Sequence, residues 1–214
     1  PVTVLSRVLH HLVSLSTGML LGTALLHVLP EAFESSASSH SRLLTLLAGL
    51  LFFFLLEKAE LYRHGHHHES DHHDHHHGFD QQQAGRGGWS VLVGDSIHNF
   101  CDGIIIAAAF LADTQLGIVT ALAVVAHEIP QEVGDYLILL HSGYSRARAL
   151  AFNLLSSLAT LAGALLAYFA LSRLTEWIPT LLGLGAASMI YIAVADLIPG
   201  LHKRTELKAT VQQM

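Results

Sequence analysis

The chain has 214 residues, of which 51% are hydrophobic and 13% charged, with a mean hydropathy of +0.46. Soluble domains carry roughly 25% charged residues, so this balance excludes an ordinary soluble globule and points to a polytopic membrane protein. A net charge of −6 with only 11 Lys and Arg leaves no basic patch for nucleic acid, and the single Cys101 excludes a disulfide framework within the chain.

A hydrocarbon core of roughly 30 Å takes about 20 helical residues. Six segments meet that length, at 12–33, 43–62, 89–112, 116–140, 147–171 and 177–200. Their apolar runs are continuous and rich in Leu and Ala, not alternating, so the expected fold is all-α, a bundle of six transmembrane helices and no barrel. The opening PVTVLSRVLHHLV has neither an initiator Met nor a basic leader and predicts no cleavable signal peptide. The first span closes on ALLHVLPEAF, where His27 and Glu31 are four apart. They read equally as part of an ion pathway or as interfacial polarity.

SSASSHSR links the first two spans, and residues 64–88 link the second and third. This second linker carries nine histidines from His64 to His77 and too few apolar residues to bury a core, which predicts disorder. His66, His67, His68, His72, His73, His75, His76 and His77, beside Asp71 and Asp74, are candidate metal ligands. The plainer role for the loop is a solubilising tail.

The third span contains VLVGDSIHNFCDGIIIAAAF and the fourth ALAVVAHEIPQEVGDYLILL. One carboxylate at the bilayer centre costs about 2.5–3.5 kcal/mol even on the lenient insertion scale. Positions four apart share a helix face. His98 and Asp102 are such a pair, with Asn99 beside them and Asp95 one turn earlier. In the fourth span His127 pairs with Gln131 and Glu128 with Glu132, and Asp135 extends the stripe. A lone intramembrane His or Asp serves as a structural contact as readily as a ligand, but two helices carrying this many together point to a shared site. Imidazole with carboxylate suits Zn²⁺, Fe²⁺ and Mn²⁺, and the lack of convergent cysteines disfavours Cu(I). Such ligands also bind protons, so metal binding should weaken in acid. Pro130 removes a helical hydrogen bond and frees the carbonyl of Ala126. Gly103 and Gly134 permit close approach or bending beside the ligands.

Asn153 and Ser157 in the fifth span line the same cavity or act as ordinary interhelical glue. Gly18 and Gly22 in the first span, and Gly183, Gly185, Ala186, Ala187 and Ser188 in the last, permit close helix packing. With six spans, nine of the 11 Lys and Arg fall on one side, leaving only Arg42 and Arg173 on the other. Positive charge stays inside, which places both ends of the chain and the histidine loop in the cytoplasm, within the plasma membrane or an organelle membrane.

HNFCDG followed by HEIPQEVGD resembles the ZIP (Zrt-, Irt-like protein) metal transporters. The likeness is nearest to the subfamily with HNxxDG and HExPHExGD motifs and a histidine-rich cytoplasmic loop. ALLHVLPEAF is similar to that family's second span and AASMIYIAVADLIPG to its seventh. The resemblance implies spans two to seven of an eight-span fold, with which a homodimer is compatible. It further implies a primary site of His98, Asp102, His127 and Glu128, with Gln131 where the subfamily usually has histidine. Asn99 would belong to a neighbouring site bridged by Asp102 and Glu128, and Glu132 lies one residue past a matched position. Asp95, Asp135 and Asn153, with His27 and Glu31, are candidate pathway residues.

The expected function is transport of a divalent transition metal toward the cytoplasm, by a carrier with alternating access. Zinc is the favoured cargo, with Fe²⁺, Mn²⁺ and Cd²⁺ as alternatives, and the metal is a substrate and no cofactor. A cation-diffusion-facilitator-type exporter also has six spans, but lacks HEIPQE and has its histidine loop elsewhere. An intramembrane zinc protease would want HExxH, and Gln131 and Pro130 break that motif, so no enzyme is expected.

Overall fold

Proline chemistry explains the irregular points of an otherwise helical chain. The structure, a computed structural model, describes residues 2–34, 38–65 and 81–202. The histidines from His66 to His77, named above as loop ligands, lie outside the described residues. The first span is α1 (Val2–Thr23), one π-helical turn (Ala24–Val28) and α2 (Leu29–Phe33). Then come α3 (Ser39–Gly65), α4 (Gln81–Ala112), α5 (Thr114–His141) and α6 (Arg146–Leu171). The last span is α7 (Ile178–Ile192), a second π turn (Ala193–Leu197) and α8 (Ile198–His202). Six helical stretches are long and apolar enough to cross a membrane, as the sequence predicts, and no strand occurs among the described residues. The outer surface agrees with an integral membrane protein: Leu51, Phe52 and Leu55 of α3 and Leu158, Leu161 and Phe169 of α6 are exposed.

Two boundaries move most: α1 begins at Val2, ten residues before the span boundary expected at 12, and α4 begins at Gln81, eight residues before the one expected at 89. Gln81, Gln82, Gln83 and Ala84 are good helix formers, and they carry the helix beyond the stretch a bilayer requires.

Pro30 and Pro199 each lack the N–H that a regular helix would direct at a carbonyl four residues back. In both places the preceding turn widens: Leu29 N–H bonds Ala24 O, and Ile198 N–H bonds Ala193 O, five residues back. At Pro130 the answer is different. α5 continues as an α-helix through the proline, and the hydroxyl of Ser16 on α1 reaches the Ala126 carbonyl at 2.5 Å. Ser16 is fully buried and its Oγ also lies 2.7 Å from Leu12 O. Ser16→Ala would therefore leave the Ala126 carbonyl unsatisfied away from water, at a cost of about 1–2 kcal/mol. A thermal melt in detergent should show the loss, and an unchanged melting temperature would refute the role given to Ser16.

Packing links all six spans. α4 packs against α6 and α5, and α3 against α7; α1 crosses α5, and α4 touches α7. A core of Leu20, Val28, Ile105, Ala108, Val124, Leu182 and Met189 lies between them. The α4–α6 pair meets backbone to backbone. A Cβ at Gly103 would strike the Thr160 carbonyl oxygen, and one at Gly163 would strike the Phe100 carbonyl oxygen. Gly18, Gly22 and Gly134 behave differently from the expectation: a Cβ on any of them meets nothing within 4 Å among the described residues. Gly185 does make a tight contact, its added Cβ lying 2.7 Å from Ile105 Cγ2.

Candidate metal centre

The two polar helices are held in register by their ends. Asp113 caps α5 by accepting from Leu116 N at 2.9 Å. α5 stops at Gly143, whose φ of 84° lets Gly143 N bond Leu140 O and Tyr144 N bond Leu139 O. Ser145 then caps α6 through Arg148 N. With α4 against α5, the stripe Asp95, His98, Asn99 and Asp102 faces the stripe that begins at His127.

Four of the predicted ligands converge. Nε2 of His98 lies 3.3 Å from Nε2 of His127, 3.7 Å from Asp102 Oδ2 and 3.5 Å from Glu128 Oε1. Nε2 of His127 lies 3.3 Å from Asp102 Oδ2 and 3.2 Å from Glu128 Oε1. The four ligand atoms all fall within 4.8 Å of one another. Zinc–nitrogen and zinc–oxygen bonds near 2.1 Å in a tetrahedron put the ligand atoms about 3.4 Å apart. The five measured separations straddle that value. Asp102 and His127 are each only 2% exposed, and neither Asp102 Oδ2 nor Glu128 Oε1 has a hydrogen-bond partner. Two buried carboxylate oxygens without a donor, beside two imidazoles, form a site complementary to a divalent cation. The far nitrogen of His127 is also fixed: Nδ1–H donates to Ala123 O at 3.3 Å, which turns Nε2 inward.

The remaining predicted residues are placed as follows. Gln131 Nε2 donates to Asp95 Oδ1 at 3.2 Å. A carboxylate across the α4–α5 interface is a better acceptor for the amide than a site already filled by four ligands. Glu132 joins Asp95 and Glu128 in a second group of ligand atoms within 4.8 Å, and accepts from Ser157 Oγ at 2.5 Å. Asn99 is fully buried; Oδ1 accepts from Thr160 Oγ1 at 3.3 Å while Nδ2 has no partner among the described residues. Asn153 Nδ2 donates to the Glu132 carbonyl at 3.0 Å, so it braces α5 from α6. Asp135 is half-buried one turn beyond Glu132. His27 is exposed and sits inside the first π turn, and Glu31 follows that turn half-buried. Cys101 is half-buried and outside both groups.

Two supporting residues escape the sequence reading. Thr160 Oγ1 donates to Asn99 Oδ1, and Ser16 reaches Ala126 across 110 residues. The run VSLSTG in the first span is the one available hint for Ser16.

The family model described as ZIP zinc transporter matches residues 4–75 and 58–214. The chain belongs to the ZIP zinc transporter family. Among its ZIP relatives, zinc transporter zipt-7.2 of Caenorhabditis elegans is 36% identical over 130 residues, covering 58% of this chain and 28% of the relative. Zinc transporter ZIP10 of Danio rerio is 38% identical over 135 residues, 58% of this chain and 16% of the relative. Human zinc transporter ZIP4 is 37% identical over 115 residues, 54% of this chain and 18% of the relative. The aligned part thus spans less than a third of each of these ZIP proteins.

Within this ZIP chain, position 131 can be tested directly. Gln131→Ala should change Zn²⁺ affinity at the four-ligand group by less than the ~10-fold typical of losing an outer-shell partner, because the amide touches Asp95 and none of those four. Competition with a fluorescent chelator measures it, and a larger loss would place Gln131 in the primary site.

Proposed function

We propose that the protein carries divalent transition metal, zinc foremost, across the membrane toward the cytoplasm. The observation that carries this reading is the tetrahedral spacing of His98, Asp102, His127 and Glu128 inside a membrane-spanning bundle. Two carboxylates neutralise a divalent cation, and two imidazole nitrogens replace water it has shed. The set holds no thiolate, so the ion can leave again. Fe²⁺, Mn²⁺ and Cd²⁺ fit the same donors less selectively.

The ligands all come from α4 and α5; α4 packs closely on α6, α5 crosses α1, and α3 and α7 complete the surroundings. Alternating access is motion of the ligand-bearing helices relative to these surroundings. The excess of Lys and Arg on one side supports cytoplasmic placement of the histidine loop, which receives or senses arriving metal. Direction separates this reading from a cation-diffusion-facilitator-type exporter.

The test is zinc uptake into proteoliposomes by the full-length protein and by its His127→Ala/Asp102→Ala variant. Uptake that the variant abolishes is the expected result; equal uptake by both, or none by the parent with zinc, iron or manganese, overturns the proposal. Deleting residues 64–77 should leave transport intact and alter only its response to cytoplasmic metal. Loss of all uptake on that deletion would make the loop the working part.

A further inference from the structure

Resting on that transport reading, we propose that Ser16 is a positioning residue of the metal site: its hydroxyl holds the peptide that carries His127 and releases it when α5 moves. In an ordinary helix the Ala126 carbonyl would accept from the N–H four residues on, but that residue is Pro130, which has none. The carbonyl is bonded from outside its helix instead, by Ser16 Oγ on α1. Its oxygen belongs to the peptide unit whose nitrogen is that of His127, and Glu128 follows directly. Ser16 is fully buried, so water does not compete for the contact.

His127 is thereby held at two points. Its ring is fixed within α5 by Nδ1 on Ala123 O, and its peptide is fixed by Ser16 from another helix. Gln131 with Asp95 ties α5 to α4, and Asn153 and Ser157 with Glu132 tie it to α6. Ser16 ties it to α1, at the turn that bears His127 and Glu128.

The tie is also built to let go. A hydroxyl has one proton to donate. Two carbonyls face Ser16 Oγ: Ala126 O across the helix crossing, and Leu12 O, 2.7 Å away in its own helix. Donated to Ala126, the proton fastens α5 to α1. Donated to Leu12, it makes the usual serine bond four residues back, as Thr17 does with Val13 O at 2.8 Å. Separation of α5 from α1 therefore strands no buried donor on α1, whereas a donor lacking a second acceptor would resist release. The contact strengthens the assembled site without obstructing the step that dismantles it.

Zinc affinity and uptake kinetics test this in the full chain with the nine loop histidines changed to Gln. Ser16→Ala should weaken Zn²⁺ binding about 10-fold in chelator competition, the scale of losing an outer-shell partner. KM for uptake into proteoliposomes should rise with it while the maximal rate holds or increases, because the lost contact belongs to the bound state. Ser16→Thr keeps the hydroxyl and should keep the parental affinity. Ser16→Cys, a weaker donor of similar shape, should fall between the two, and reads the same loss if the alanine variant does not fold. Pro130→Ala returns an N–H to Ala126 within α5, so adding Ser16→Ala to it should cost little further affinity, a coupling that a double-mutant cycle measures. A lower melting temperature with unchanged affinity and KM would make Ser16 structural only and overturn the proposal. Equal losses from Ser16→Ala with and without Pro130 would overturn it as well. If His127→Ala/Asp102→Ala abolishes zinc uptake while Ser16→Ala matches the parent, the transport reading stands and this inference alone falls.

Discussion

Asp102→Ala is expected to weaken Zn²⁺ binding at the four-ligand site by at least ~100-fold, the upper end of what even an outer-shell partner can cost. Oδ2 of Asp102 faces both imidazoles, at 3.3 and 3.7 Å, and supplies half of the negative charge of the set. Its side chain is enclosed, so water has little room to replace it. Asp102→Asn keeps the shape and removes the charge, and should lose nearly as much. Chelator competition on purified protein gives the affinity, and tracer uptake gives the consequence for transport. Wild-type affinity in either variant would mean that the convergence of these side chains serves folding, not metal.

The second large effect is structural. Gly103→Ala is expected to destabilise the bundle by about 3 kcal/mol, the upper end of the range for overpacking, because the new methyl meets the Thr160 carbonyl and not a side chain that can turn away. Gly163→Ala should do the same through the Phe100 carbonyl. Gly134→Ala is the matched control on the neighbouring helix: its Cβ meets open space, so helix propensity alone should apply, a gain of up to ~1 kcal/mol. Melting temperature and monodispersity in detergent separate the three variants. Equal behaviour of Gly103→Ala and Gly134→Ala would contradict the backbone contact between α4 and α6.

Much of this was readable from the residues, for identifiable reasons. Apolar runs of bilayer length locate the spans whatever their neighbours. His98 with Asp102, and the adjacent His127 and Glu128, are visible because their spacing fixes which of them share a face, and the structure brings these four together. What spacing does not reveal is the surface opposite. Gln131 shares a face with His127, yet its longer amide selects Asp95 on the facing helix. Gly18 and Gly22 have the spacing of a packing motif and face no neighbour among the described residues, whereas the isolated Gly163 fits against Phe100. The hydrogen bond from Ser16 to Ala126 depends on a crossing of distant helices that no local pattern encodes.

The direct backbone contact of α4 with α6 has a consequence for how ions are told apart. Wedged glycine against carbonyl, α4 has almost no slack on α6, so His98 and Asp102 project from a mounting that cannot slide to suit a larger or smaller sphere. The calibre of the gap is then set by how far each side chain reaches from its fixed mounting. Lengthening Asp102 to Glu narrows it, and trimming Glu128 to Asp widens it, each by about one methylene. Retuning this protein for a different cation is therefore a matter of arm length, with the scaffold left untouched.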